Sequence, residues 1–245
     1  MNGLPEGTDI WAFLAASPLL WLSLTLLAFQ AGLWLNRRLG GSPVLHPVLL
    51  AMGGLITVLL LTGTDYETYF EGAQFIHFLL GPATVALAIP LYDHRRQIRA
   101  LLLPLLTAGV AGAGTAAISA VAVAHLLGAQ PRTLASLAPK SVTSPIAMGV
   151  SEKLGGLPSL TAALVLLTGA LGCLLAPLLI RLMGIRDDRV KGFALGVTAH
   201  GFGTAHAFGI SATAGAFAGL GLSLAGILTA FLLPLAVPLL PGMGS

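Results

Sequence analysis

Long apolar runs separated by short polar stretches recur along the whole chain. Six of these runs are predicted to be transmembrane helices, because a helix needs ~20 apolar residues to cross a hydrocarbon core about 30 Å thick. They lie at about 11–35, 44–61, 75–91, 100–127, 160–180 and 217–240. A pattern of this extent predicts an all-α, polytopic membrane protein.

Two further segments have the length of a span but few large apolar side chains. They cover residues 134–156 and 192–215. Each is predicted to be either a full but broken helix, which gives eight spans, or a re-entrant hairpin, which gives six spans and two hairpins. Positive charge favours the cytoplasmic side of a membrane. If the basic stretch 181–191 is cytoplasmic, two hairpins that enter the membrane from opposite sides agree with this better than two full crossings.

A short internal similarity accompanies the two segments. The stretch LTGALGCLLAPLL (167–179) aligns with LAGILTAFLLPLA (224–236), and GVS (149–151) aligns with GIS (209–211). Each interrupted segment is therefore followed by a similar helix, which predicts an internal, inverted repeat. Duplicated units with discontinuous segments are typical of secondary transporters.

The interruptions also divide the chain by role. Residues 1–245 are predicted to be a single membrane domain. Within it, residues 1–73 have no comparable polar break and are expected to form a scaffold or a dimer contact. Residues 74–245 are expected to form the transport core.

Composition narrows the class of protein further. The chain is 56% hydrophobic and only 9% charged, with a mean hydropathy of +0.92, whereas a soluble domain has about 25% charged residues. The basic residues lie in short clusters near the span ends, so nucleic-acid binding is not expected. The single cysteine, Cys173, excludes an intrachain disulfide and a cysteine-based metal site. No nucleophile with an orienting base and no phosphate loop is found, so an enzyme is not expected.

The first interrupted segment contains APKSVTSPIAMGVSEKLGG (138–156), which concentrates polar residues between apolar runs. Its prolines remove backbone donors, and its hydroxyls can satisfy the groups left unpaired. Non-helical backbone at membrane depth is tolerated only inside protein or beside a wet cavity. The helix that restarts after Pro145 would point its N-terminus into that cavity, which favours an anion. The candidate substrate-binding residues are Lys140, Ser141, Thr143 and Ser144.

Two charged residues of this segment have alternatives. Lys140 either binds the substrate or extends to the outer interface. Glu152 is either a coupling residue or one half of an ion pair with Lys153 at the aqueous edge.

The second interrupted segment contains GVTAHGFGTAHAFG (196–209). Its glycines leave a bare backbone that a ligand could approach closely. Its two histidines are six residues apart and have no carboxylate or cysteine nearby, so a metal site is not expected. The imidazoles either donate packing hydrogen bonds between helices or bind substrate and protons. The candidate substrate-binding residues are Thr198, His200, Thr204 and His206, of which the two histidines are also candidate coupling residues.

The chain resembles the LrgB/CidB family of bacterial membrane proteins. The resemblance rests on YETYFEGAQFIHFLLGPATVALAIPLY (66–92), LAPKSVTSPIAMGVSEKLGGLPSLTA (137–162) and IRDDRVKGFALGVTAHGFGTAHAFG (185–209). It implies a multi-spanning protein of the bacterial cytoplasmic (inner) membrane, often encoded beside a small holin-like partner of the LrgA/CidA type. The PKSVTSPIA signature is intact at 139–147 and GTA at 203–205, but His206 stands where family members commonly carry Arg.

The resemblance also implies a substrate class. A plastid relative exports glycolate and takes in glycerate, and some bacterial relatives are linked to pyruvate. We therefore expect a secondary transporter of small 2-hydroxy or 2-oxo monocarboxylates that works by alternating access, elevator-like and coupled to protons. The alternative is an antiholin-like regulator of murein hydrolase activity and lysis that acts with an LrgA/CidA-type partner. The expected partners are the monocarboxylate anion, the lipid bilayer and a second copy in a homodimer, with no cofactor.

Overall fold

The computed structural model describes residues 17–40, 45–86, 88–237 and 242, and every regular element among them is helical. This part of the chain contains α1 (Pro18–Arg38), α2 (Pro47–Thr62), α3 (Tyr66–Ala86), α4 (Ala88–Asp93), α5 (Arg95–Ala100), α6 (Leu102–Leu126), α7 (Pro131–Leu137), α8 (Ser144–Lys153), α9 (Pro158–Leu182), α10 (Asp188–Ile210) and α11 (Ala212–Ala236). Four of these helices, α1, α6, α9 and α11, are long and apolar enough to cross a membrane, and α2 is apolar but shorter. The all-α membrane fold is confirmed.

Several predicted span boundaries differ from the helices. The predicted starts at 11 and 44 and the predicted end at 240 lie outside the described residues. The acidic stretch 64–72, which lies between the predicted spans 44–61 and 75–91, mostly forms the first turns of α3. The Asp65 carboxylate caps this end by accepting a hydrogen bond from the Thr68 N–H at 2.7 Å. Acidic side chains are favourable at a helix N-terminus, so this polar stretch is compatible with helix.

Proline and glycine explain several helix ends. A proline stands in the first turn of each of these helices, where the missing N–H costs nothing: Pro18, Pro47, Pro131 and Pro158. Gly128 after α6 and Gly184 after α9 have φ values of 81° and 63°. Glycine adopts this left-handed conformation without strain, and it ends a helix there.

The chain falls into two compact units, Met1–Ala86 and Leu87–Ser245. In the first unit, α3 packs on α1 so closely that a side chain at Gly72 would collide with the Pro18 carbonyl. Trp21 is fully buried and lies edge-on to Tyr69, with 5.9 Å between ring centroids. Since α3 packs on α1, it belongs to the first compact unit, and the roles predicted for residues 1–73 and 74–245 stay predictions.

In the second unit, α7 and α8 form a helical hairpin, which we call hairpin 1 (131–153). The chain reverses over 138–143, and the Leu157 N–H that follows α8 donates to Ser136 Oγ in α7 at 2.7 Å. Both ends of the hairpin therefore lie together, and its tip is formed by residues 138–143.

The helix α10 is also a hairpin, hairpin 2 (188–210). Ala199 (φ −125°, ψ 15°) and His200 (φ 41°, ψ −124°) are not helical and reverse the chain. Ser211 Oγ donates to Asp188 Oδ2 at 2.8 Å, so the two ends of α10 meet. The arms 188–198 and 201–210 are each roughly 16 Å long, which is about half of a hydrocarbon core.

The helix α9 connects the bases of the two hairpins, and they approach each other from opposite ends. Thr161 near the start of α9 bonds to hairpin 1, whereas Gly169 and Gly172 farther along lie against the tip of hairpin 2. The central apolar cluster includes Val142 from the first tip, Val165 of α9 and Val197 beside the second tip. The two tips therefore converge on one region of the core.

Candidate functional site

The tip of hairpin 1 presents three of the predicted residues with accessible polar groups. Lys140 is half-buried and its Nζ donates to Ser141 Oγ at 3.2 Å. Thr143 is the N-cap residue of α8, yet its side chain makes no capping hydrogen bond. Ser144 is the first residue of α8 and half-buried. The first N–H groups of a helix have no partner within the helix, so this tip offers hydroxyls and backbone donors together.

The tip of hairpin 2 is fixed by His200, which is only 4% exposed. Its Nε2 donates to the Val165 carbonyl of α9 at 3.0 Å, which requires the proton on Nε2. Thr204 Oγ1 donates to the His200 carbonyl at 2.9 Å. Of the two predicted alternatives for His200, the geometry matches the packing hydrogen bond between helices.

The remaining predicted residues are spread along the two hairpins. Thr198 is exposed, and its Oγ1 donates to the Ala194 carbonyl at 2.7 Å. His206 is half-buried on the second arm of hairpin 2, six residues beyond His200. Glu152 is exposed near the base of hairpin 1, roughly 12 Å along the helix from Ser144.

Glycines in the second interrupted segment serve mainly to pack helices. A side chain at Gly196 would collide with the Ala218 carbonyl oxygen of α11, and one at Gly203 with the Leu195 carbonyl oxygen in the opposite arm. The prediction that this bare backbone admits a ligand is therefore wrong at these two positions. Gly201 has open space beside it.

A cavity of about 430 Å³ lies between α6 and the first arm of hairpin 2. It extends from Asp187 and Arg189 at the base of the hairpin to Thr198 beside the tip. Thr198 is the one predicted substrate-binding residue that lines it. The polar residues of the two hairpin tips therefore do not share this cavity.

The pair at the base of hairpin 2 is held by several hydrogen bonds. Asp187 caps α10 by accepting from the Arg189 N–H at 2.9 Å, and its carboxylate also accepts from the guanidinium Nε and Nη2 at 3.0 and 2.5 Å. These hydrogen bonds from Arg189 lower the pKa of Asp187 from 3.8 to about 2. The pair is consequently ionised on both sides at physiological pH.

Sequence reasoning overlooked this pair, because charges between two spans usually form a solvated turn. A signal was present in the sequence: an aspartate directly before a helical run is a typical N-cap. Nothing in the sequence pattern, however, places α6 beside it.

A buried network of hydroxyls was also overlooked. Thr161 Oγ1 lies 2.7 Å from Ser151 Oγ and 3.0 Å from the Ser136 carbonyl, and Ser136 Oγ accepts from Leu157 N–H. The three hydroxyl residues are fully buried. They join both arms of hairpin 1 to the start of α9, so these elements should move as one body.

The Ser136→Ala variant is expected to lower the free energy of unfolding by about 0.5–1.5 kcal/mol, because it removes the hydrogen bond that the buried Ser136 Oγ accepts from the Leu157 N–H. Unfolding in detergent micelles would measure the loss. Thr168→Val is the control, since Thr168 Oγ1 bonds only to the Leu164 carbonyl within its own helix. Equal stability of the two variants would contradict the role given to this network.

The family model described as the LrgB-like family matches residues 25–239. The chain belongs to the LrgB-like family. This confirms the resemblance found in the sequence, and the hairpins and the cavity lie within the matched part of this LrgB-like protein.

Relatives from several bacteria are similar over most of their length. The Bacillus subtilis (strain 168) protein YwbG is 38% identical over 183 residues, covering 75% of this chain and 81% of the relative. A Haemophilus influenzae protein is 34% identical over 88% of this chain and 93% of its own length. The holin-like protein CidB of Staphylococcus epidermidis is 30% identical over 80% of this chain and 86% of its own length. No solved structure matches the chain.

Proposed function

We propose that this LrgB-like protein is a secondary transporter of small 2-hydroxy and 2-oxo monocarboxylates. It works by alternating access in the bacterial cytoplasmic membrane. The observation that carries the proposal is the convergence of two helical hairpins, from opposite ends of α9, on one region of the core. Discontinuous helices that meet near the midplane are how many secondary transporters build a substrate site.

In this proposal both hairpins are re-entrant. Their arms are too short to cross the hydrocarbon core, while α6, α9 and α11 beside them are long enough. The end of the second unit at the base of hairpin 2 carries seven basic side chains, Arg95, Arg96, Arg99, Arg181, Arg186, Arg189 and Lys191, against three acidic ones, Asp93, Asp187 and Asp188. We call it the basic end, and in this proposal it lies on the cytoplasmic side, which the positive-inside rule favours.

Equivalent positions in the two hairpins support an inverted repeat. Gly169 of α9 lies against His200 at the tip of hairpin 2, and the aligned Gly226 of α11 lies against Ile146 next to the tip of hairpin 1. The aligned serines are equivalent as well. Ser151 bonds at the base of hairpin 1, and Ser211 bonds at the base of hairpin 2.

The proposed substrate is an anion because both tips direct helix N-termini at the same region. One N-terminus belongs to α8, and the other belongs to the arm 201–210. Helix N-termini bind carboxylates through free N–H groups and the helix dipole. Lys140, Ser141, Thr143 and Ser144 would complete the site, with Thr198 and Thr204 on the opposite tip and His206 in place of the arginine common in relatives.

Uptake of labelled glycolate, glycerate and pyruvate into proteoliposomes tests the proposal. Measurements with and without an imposed pH gradient separate uniport from proton coupling. Saturable uptake that an unlabelled acid competes away supports a carrier. No uptake of any of the three by folded, inserted protein would contradict it.

Thr143→Val is expected to lower uptake at least tenfold while leaving the stability nearly unchanged. The hydroxyl makes no capping bond that folding would miss, but it lies at the N-terminus that would bind the carboxylate. The matched control is Thr107→Val on the exposed surface of α6, which should transport normally. Wild-type uptake by Thr143→Val would remove this residue from the site.

The alternative function is regulation of lysis together with a small LrgA/CidA-type partner. It is favoured by the similarity to a relative named holin-like protein CidB, and by the observation that the cavity of about 430 Å³ is not one that the polar residues of both tips share. A regulator needs no such cavity. Uptake that appears only when the small partner is added to the liposomes would support a partner-dependent carrier, and hydrolase effects without uptake would support the regulator.

A further inference from the structure

The cavity between α6 and hairpin 2 differs in chemistry from the two tips. At about 430 Å³ it has the size of a small-molecule site, for which about 300–1,000 Å³ is usual. Its wall is aliphatic and aromatic, with Leu105, Phe193 and Phe217 among the side chains that form it. Its polar side chains lie at the two ends. This distribution matches a ligand with one charged group and an apolar body.

Arg189 supplies the charged group that such a ligand would need. A guanidinium has five N–H donors, and the Nε–H and one Nη2–H of Arg189 go to Asp187. Three donors are therefore left for a carboxylate. The side chain is 41% exposed, so an incoming anion can reach it.

Asp187 controls the strength of this binding. Its carboxylate competes for the guanidinium, and it cannot leave easily because it also caps α10 through the Arg189 N–H. A ligand carboxylate therefore binds beside Asp187 or displaces it from part of the guanidinium. In either case the negative charge of Asp187 weakens the site.

We propose that this cavity binds a monocarboxylate with an apolar chain, with the carboxylate on Arg189 and the chain along the apolar wall toward Thr198. The inference goes beyond the proposed function, because this cavity is separate from the site at the two tips and takes a different class of acid. Acids such as glycerate are disfavoured here, because their hydroxyls would lose water without finding partners on the wall.

The test is protection of a reporter thiol at the inner end of the cavity. Cys173 is the single cysteine and is buried, so Cys173→Ala gives a background without thiols. Thr198→Cys is then labelled with a thiol reagent in nanodiscs of phosphatidylcholine, whose head group carries no carboxylate. Ala194→Cys, also on the cavity wall, is a second reporter, and the exposed Arg186→Cys is the control.

We expect propionate to hexanoate to slow labelling at position 198 and at position 194. The half-protecting concentration should fall about fourfold per added methylene, which corresponds to ~0.8 kcal/mol per CH₂. Arg189→Gln should raise it at least tenfold for hexanoate and leave it unchanged for hexanamide. Asp187→Asn keeps an oxygen for the cap but removes the competing charge, so it should lower the half-protecting concentration several-fold.

Four results would overturn the inference: no protection at position 198, equal protection by hexanamide and hexanoate, protection that Arg189→Gln does not change, or equal protection of the control thiol at position 186. The binding assay is independent of transport. Protection without uptake in proteoliposomes would leave the inference standing and the carrier proposal refuted. Saturable uptake without protection would refute the inference and support the carrier proposal.

Discussion

Gly196→Ala is expected to lower the free energy of unfolding by about 3 kcal/mol or more and to abolish transport. The first arm of hairpin 2 and α11 run parallel and in direct backbone contact. A Cβ at Gly196 would collide with the Ala218 carbonyl oxygen, and one at Gly192 would collide with the Ala214 carbonyl oxygen. Overpacking costs about 1–3 kcal/mol when side chains can adjust, and here the obstructing atoms are backbone. The helices would have to separate.

The measurement is unfolding of the purified protein in micelles, with uptake measured in parallel. Gly209→Ala is the matched control, since it lies in the same hairpin and no atom stands within 4 Å of its added Cβ. In a helix this exchange normally stabilises by about 0.5–1 kcal/mol. If the two variants were equally stable, the close helix contact would be refuted.

Gly192 and Gly196 show what can and cannot be predicted from the sequence. The spacing Gly192-x-x-x-Gly196 matches the small-residue motif that lets membrane helices approach closely. The sequence alone did not separate this role from approach by a ligand, because both require a bare backbone. The partner residues, Ala214 and Ala218, are recognisable only once the chain is known to reverse twice, at the tip of hairpin 2 and again at Ser211.

The interruptions themselves could be predicted, but their geometry could not. Prolines, glycines and hydroxyls located the interrupted segments 134–156 and 192–215, but not the reversals at 138–143 and at His200. A broken span and a hairpin have the same local sequence pattern, and the choice between them depends on tertiary contacts such as the bond between Ser211 and Asp188. Residue propensities likewise favour glycine, not histidine, at a position with φ of 41°.

The residues of the candidate site could likewise be predicted only in part, because some of them depend on tertiary contacts. Polar residues at the first tip were identified from their own segment, since their environment is set locally by the start of α8. Arg189 and Asp187 became candidates only through α6, which contributes the other wall of the cavity. When the role of a residue depends on a helix that is distant in sequence, the residues next to it in the chain do not reveal that role.

The second large effect is expected at His200, where the glycine variant should be more stable than the alanine variant, the reverse of the usual order in a helix. His200→Ala removes the hydrogen bond to the Val165 carbonyl and keeps a backbone conformation that costs a non-glycine residue about 1–3 kcal/mol. His200→Gly removes the same bond but also the backbone strain. The glycine variant should therefore be more stable than the alanine variant by about 1–2 kcal/mol, although in a helix alanine is normally the better residue.

Unfolding of the two variants in micelles measures this order, and the same pair of exchanges at His206 is the control. His206 lies within the regular second arm of hairpin 2, so there the alanine variant should be the more stable one. If alanine were better at both positions, His200 would not hold a strained tip. Strain of this kind persists only where surrounding contacts enforce it. Here the hairpin itself does so without the imidazole, since its arms touch at Gly203 and Leu195 and its ends are joined by Ser211 and Asp188. Both exchanges should also impair transport more than their stability losses alone explain, because either one removes the bond that holds the tip of the proposed carrier on α9.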